Sequence, residues 1–157
     1  MSLHTIKTEQ RIPAELDEIW DFISSPANLK NIAPQYMGFE ITTKDVPAKM
    51  YPGAIICYKV RPLLNLPMTW VTEITHVEDK KYFVDEQRKG PYKMWHHEHH
   101  IEPITGGVLM TDIVSYIPPM GVLGDLANAA FISRQLDGIF SFRRKRLTEI
   151  FGSWQGK

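Results

Sequence analysis

The sequence predicts an α+β fold: a curved antiparallel sheet of about six to seven strands against one long C-terminal helix, with two short helices after the first strand. Three observations lead there. Between residues 36 and 117 apolar side chains recur with a period of two, the repeat of a strand with one buried face. After Pro118-Pro119 the repeat changes to 3.6 and holds to about residue 151. The strand-like runs are separated by turn signals and not by helices, which implies antiparallel hairpins.

Residues 4–12 read as the first strand, ending at Pro13. Proline suits the first position of a helix, and Leu16, Ile19, Trp20 and Ile23 then recur at helical spacing until Ser24-Ser25-Pro26 stops them. A short second helix is expected over about 27–33, before Pro34. Strand alternation follows in Met37, Phe39 and Ile41, in Ile56, Tyr58 and Val60, and in Trp70, Thr72 and Ile74. Strands over 81–88, 92–103 and 107–117 complete the sheet, with turns at Pro52-Gly53, Asp79-Lys80, Gly90-Pro91 and Gly106-Gly107. In the final helix, Leu126, Ala130, Ser133, Leu136, Ile139, Phe140, Leu147 and Ile150 form an apolar stripe, which the concave face of the sheet would bury. No linker or repeat interrupts this order, so residues 1–157 are expected to form a single ligand-binding domain.

The hairpin around Gly90-Pro91 carries the functional signal. On its second strand Trp95, His97, His99 and Ile101 share one face, while Met94, His96, Glu98, His100 and Glu102 share the other, water-facing one. On its first strand Phe83, Asp85 and Gln87 alternate in the same mixed way. A dry core has little use for a carboxylate, an amide and two imidazoles, since an unpaired buried polar group costs roughly 1–3 kcal/mol. This face is therefore expected to line a cavity holding water or a ligand.

Composition excludes several function classes. The chain has 18 Lys plus Arg and 18 Asp plus Glu, a net charge of +0, so no whole-chain field recruits nucleic acid. No apolar run approaches the ~20 residues that span a bilayer, so stable membrane insertion is not expected. Cys57 is the only cysteine, which rules out an internal disulfide, and the first residues, Met-Ser-Leu-His-Thr-Ile-Lys, lack an apolar signal core. Cytoplasmic residence is the expectation, as a monomer or weak homodimer.

The order of elements resembles the helix-grip fold of the START-like (SRPBCC) superfamily, which includes polyketide cyclases, plant pollen-allergen-type carriers and START lipid-transfer domains. Ile19-Trp20-Asp21-Phe22, Trp70-x-Thr72-x-Ile74, Phe83-x-Asp85-x-Gln87-x-x-Gly90-Pro91-Tyr92, Trp95-x-His97-x-His99 and Thr111-Asp112-x-Val114-x-Tyr116-x-x-Pro119 look like a bacterial ligand-binding subgroup. The resemblance covers essentially the whole chain. It implies a curved sheet gripping the last helix around a deep cavity, and transfers no reaction, because such folds serve carriers and enzymes alike. It also places Asp112 inward, since both alternating sets of its strand contain apolar residues, and it puts the Pro118–Gly124 loop near the cavity mouth as a candidate gate.

The polar set supports three readings. Asp85, Gln87, His97, His99 and Asp112 could orient the polar groups of a mostly apolar ligand, with Trp70, Trp95 and Tyr116 as the apolar wall. Asp85, His97 and Asp112 could instead order the strands by bonding one another. Alternatively His97 with Asp85 could move protons in a cyclase, dehydrase or hydrolase. A partner-binding module with an occluded cavity is a further class. The sequence is read as that of a binding protein for a small hydrophobic or amphipathic molecule, with no cofactor and no assigned catalytic residue.

No metal is assigned. The His-Glu-x-x-His protease pattern fails at Ile101, and His97, His99 and Asp85 could act together only if the two strands pair in a particular register. Stray zinc or nickel on His96, Glu98 and His100 is the more expected event. Arg143-Arg144-Lys145-Arg146 spans the helix circumference and reads as a solvated helix end. Cys57 reads as outward-facing, with no activating partner in sight.

Overall fold

The computed structural model describes residues 2–62 and 65–156. Seven strands form one antiparallel sheet: β1 His4–Ile12, β2 Glu40–Ile41, β3 Ile55–Val60, β4 Met68–Glu78, β5 Tyr82–Lys89, β6 Met94–Ile104 and β7 Gly107–Ile117. Their spatial order is β1-β7-β6-β5-β4-β3-β2, a meander whose last strand returns to pair with the first. Register shifts at Val71/Thr72 and Ile74/His76 bend β4 against β5, and such irregularities curve a sheet. The alternation read from the sequence is the burial observed, with Val108, Met110, Asp112, Val114 and Tyr116 of β7 all turned inward.

Helix α1, Leu16–Ile23, buries Ile19, Trp20 and Ile23, with the Trp20 ring edge-on to Phe83 at 6.2 Å. The expected second helix is a 3₁₀ turn over Pro26–Asn31, and residues 35–37 form another, so the strand read from Met37 shrinks to Glu40–Ile41. Proline at 26 and 34 explains this, because each removes a backbone donor that a longer element would use.

The chain then runs helically from Gly121 to Phe151: α2 Gly121–Ala127, a π-helical turn Asn128–Ile132, and α3 Ser133–Phe151. Here the predicted stripe needs correction. Leu126, Ala130 and Ile150 are exposed; Gly124, Asn128 and Ile132 are buried, in line with Leu136 and Phe140, which are buried as expected. Those positions recur every four residues, a step that overshoots a 3.6-residue turn by ~40° each time. The wider π turn takes up part of that drift. No helix of the described residues is long and apolar enough to cross a membrane.

Two glycines test this packing in opposite directions. A Cβ on Gly107 would sit 2.0 Å from the backbone oxygen of Ile12, whereas one on Gly138, in α3, meets nothing within 4 Å. Urea unfolding is expected to show Gly107→Ala losing about 1–3 kcal/mol, as overpacking against backbone does. Gly138→Ala should gain about 0.5–1 kcal/mol by relieving a helix-interior glycine.

Candidate functional site

Strand register builds the polar centre. Asp85 of β5 pairs with His97 of β6, and His99 of β6 pairs with Asp112 of β7, so four inward side chains converge from three adjacent strands. The two imidazoles stack at 3.7 Å between ring centroids, at a 30° tilt. His97 Nε2 donates to Asp112 Oδ1 at 2.9 Å, and His99 Nε2 donates to Asp85 Oδ2 at 2.7 Å. His99 Nδ1 also lies 3.2 Å from Asp112 Oδ1, and His97 Nδ1 lies 3.7 Å from Asp85 Oδ2. Each ring therefore bridges the same two carboxylates. The proton-transfer reading joined His97 to Asp85; the short contact to Asp85 belongs to His99.

The helix supplies the residue that sequence reasoning missed. Arg143 is 8% exposed, and its Nη2 lies 3.2 Å from Asp112 Oδ1. The Arg143–Arg146 run is thus not uniformly solvated: its first member is buried and ion-paired. A signal was present, since Arg143 sits seven residues after Leu136 and four before Leu147, on the apolar stripe itself. Thr72 completes the cluster by donating to Asp85 Oδ1 at 3.4 Å and to the Glu86 carbonyl at 3.2 Å.

These contacts set the charges. Burial pushes the Asp112 carboxyl up, but the Arg143 guanidinium and the bonds from His97 and His99 outweigh it and hold it well below the carboxylate range. Asp85 follows the same logic: burial raises it, and the His99 bond with the neighbouring positive groups brings it below its usual value. His99 is opposed by burial, yet its bonds to Asp112 and Asp85 carry it above the ordinary histidine value; its Nδ1 also lies 3.4 Å from Arg143 Nη2. His97 is lowered by burial and by the charge on His99, which fits a neutral ring donating once.

Next to this cluster, between sheet and α3, lies a cavity of about 160 Å³. Trp70, Trp95, Tyr58, Tyr92 and Phe140 form much of its aromatic wall, and Asp85, His97, His99 and Arg143 its polar end. Trp70 and Trp95 meet edge to face at 5.3 Å. Of the predicted residues, Trp70, Asp85, Trp95, His97 and His99 line this space. Asp112 lies behind it, against the imidazoles. Gln87 has a different task, clamping the Gly90-Pro91 turn through both its amide ends: Nε2 donates to the Tyr92 carbonyl at 2.7 Å and Oε1 accepts from the Tyr92 N–H at 3.1 Å. Tyr116 sits one layer back, donating its hydroxyl to Asn128 Oδ1 at 2.7 Å and packing on Trp95 and Tyr92.

The Pro118–Gly124 segment, expected as a loop, is helical from Gly121 onward and does not line the space; the segment between α1 and β2 does, through Leu29, Ile32, Ala33, Met37 and Phe39. Met120, Val122 and Leu123 are exposed. Cys57 is half-buried, between exposed Ile55 and exposed Lys59 on its face of β3.

Arg143→Met should cost about 3–5 kcal/mol in urea unfolding, because it leaves a buried charge on Asp112 unbalanced. Lys145→Ala, two residues away on the exposed face, should change stability by less than about 0.5 kcal/mol.

Residues 12–143 match the protein family described as polyketide cyclase / dehydrase and lipid transport. Solved structures share the architecture. A protein of Chromobacterium violaceum superposes with a TM-score of 0.69 at 12% identity, covering 96% of this chain and 98% of that one. A protein of Rhizobium leguminosarum gives 0.68 at 13% identity, over 94% and 96%. The nucleoside-diphosphate sugar epimerase of Corynebacterium glutamicum gives 0.63 at 20% identity, over 92% of this chain and 28% of the epimerase. At these identities the likeness is one of fold. No curated protein matches the chain. With its seven-stranded curved sheet, its long C-terminal helix and a family match over most of its length, the chain belongs to the polyketide cyclase/dehydrase and lipid transport family, a START-like (SRPBCC) group.

Proposed function

We propose that residues 1–157 form one binding domain for a small amphipathic molecule, held between the sheet and the C-terminal helix and anchored at one end by Asp85, His97 and His99. The observation that carries this reading is the union of an aromatic wall and a titratable end around a space of about 160 Å³. Few convergent polar groups on a mostly apolar concavity is the usual composition of a small-molecule site. Size narrows the choice. A core cavity of about 150 Å³ takes up benzene, so this space of about 160 Å³ has room for a single ring. The side chain of Asp85 is 15% exposed, more than His97, His99 or Asp112, so it is the charged group a ligand reaches first.

Proton transfer on the bound molecule is the second reading. It is favoured by the 2.7 Å bond between Asp85 and His99 at the cavity's edge, a carboxylate and imidazole paired as an acid and base.

Native mass spectrometry of the purified protein, followed by extraction and identification of co-purifying molecules, tests the carrier. A single-ring amphipathic compound recovered chemically unchanged is the expected result. Conversion that disappears in Asp85→Asn would replace the carrier with the proton-transfer reading. Ile139→Trp, which fills the cavity from the helix side, should abolish binding as read by tryptophan fluorescence. Unaltered affinity in that variant would count against this site.

A further inference from the structure

We infer that Asp85, His97 and His99 form a binding site for one divalent transition-metal ion, at the polar end of the cavity. Each can offer one donor atom, and the three donors lie within 4.8 Å of one another. The register on which such a set depends is the one observed, with Asp85 directly across from His97. Alternate residues of a strand face the same way, so a His-x-His pair presents two imidazoles side by side and the neighbouring strand brings the third ligand.

The nitrogens can be assigned. His97 Nδ1 and His99 Nε2 face Asp85 Oδ2, at 3.7 and 2.7 Å. Those separations straddle the ~3.3 Å edge of a tetrahedral zinc site with Zn–N near 2.0–2.1 Å. The opposite nitrogens, His97 Nε2 and His99 Nδ1, both meet Asp112 Oδ1, at 2.9 and 3.2 Å. A carboxylate behind a metal-bound imidazole is the arrangement that fixes the ring and raises its donor strength. Here one carboxylate does so for both rings, and Arg143 holds it in turn at 3.2 Å. With both imidazoles neutral, the two carboxylates and the guanidinium sum to minus one, a favourable host for a dication. Three protein ligands next to a cavity leave the remaining coordination position to water or to an oxygen donor. The site requires no organic molecule in the apolar space, so it stands or falls separately from the carrier reading.

The test uses the whole chain without a histidine tag, stripped by chelator and dialysed, then titrated with Zn²⁺ by calorimetry and with Co²⁺ by visible absorption. One ion per chain is expected, with the intense visible bands of low-coordinate Co²⁺. His99→Gln and Asp85→Asn should each weaken binding at least about tenfold, and Asp112→Asn by about 10–100-fold. The double variant His96→Gln/His100→Gln, which alters only the outer face of the same strand, should bind as the parent does. Because an inner-face variant can misfold, a second measurement uses the unaltered protein: Co²⁺ should shift or broaden the ring signals of His97 and His99, and not those of His96 and His100. Absence of one-to-one binding, a weak octahedral-type Co²⁺ spectrum, or binding that disappears with the outer-face double variant would overturn the inference.

Discussion

The structure turns on the exchange of charge between Asp112 and Arg143 inside the grip of sheet and helix. A carboxylate so deeply buried would be expelled or neutralised without a partner, and the guanidinium in the middle of the apolar stripe of α3 would be equally costly alone. Together, with the His97 and His99 rings filling the remaining positions around Asp112 Oδ1, they offset each other's charge, while Arg143 Nε has no hydrogen-bond partner among the described residues. That requirement fixes more than a local contact. A one-residue slip of β6 would turn both imidazoles to solvent and leave two buried carboxylates facing each other. Rotation of α3 about its axis would remove the guanidinium. The polar centre therefore specifies strand register and helix rotation, which apolar packing alone specifies less sharply.

The apolar half of the interior depends on the same constraint. Because the polar set occupies the middle of the sheet, the rings of Tyr58, Trp70, Tyr92 and Trp95 pack beside it, each within 4.9–6.2 Å of a neighbour and at varied tilts. Rings in such arrangements leave irregular space, and the 160 Å³ cavity is where that space collects. Trp70 Nε1 is buried and has no hydrogen-bond partner among the described residues. The family's description couples cyclase and dehydrase chemistry with lipid transport. In this chain a close pair of imidazoles between two carboxylates sits beside that wall, so the proposed binding and the proposed proton transfer draw on one set of residues.

Much of this was legible in the sequence, for a physical reason: strand alternation converts directly into facing. The inward set of β6, Trp95, His97, His99 and Ile101, followed from period two alone, as did the outward His96, Glu98 and His100. Asp112 was ambiguous because β7 is apolar on both faces, and only the resemblance put it inside, where it lies. The helix was harder. A uniform 3.6 repeat puts Leu126 and Ala130 inward, but the π turn at Asn128–Ile132 shifts the face and buries Asn128 in their place. Arg143 was missed because a run of four basic residues looks like solvent, although one of the four falls on the buried stripe. Gln87 and Tyr116 show the limit of facing as a guide. Neither lines the cavity: one clamps a turn and the other packs behind the wall, and only distances separate those tasks from ligand contact.

The most direct measurement of the central claim is the exchange of imidazole N–H protons in the metal-free protein, followed by ¹⁵N–¹H NMR of the histidine side chains. If His97 and His99 are held between Asp85 and Asp112 as described, their ring N–H protons should be visible, shifted downfield and slow to exchange, and Asp112→Asn should weaken that protection at His97 Nε2 while the His99 Nε2 proton stays bonded to Asp85. Ring protons on His97 and His99 that exchange as fast as those of exposed His76 would contradict it, and would mean that the polar centre is solvated and holds neither strand register nor helix.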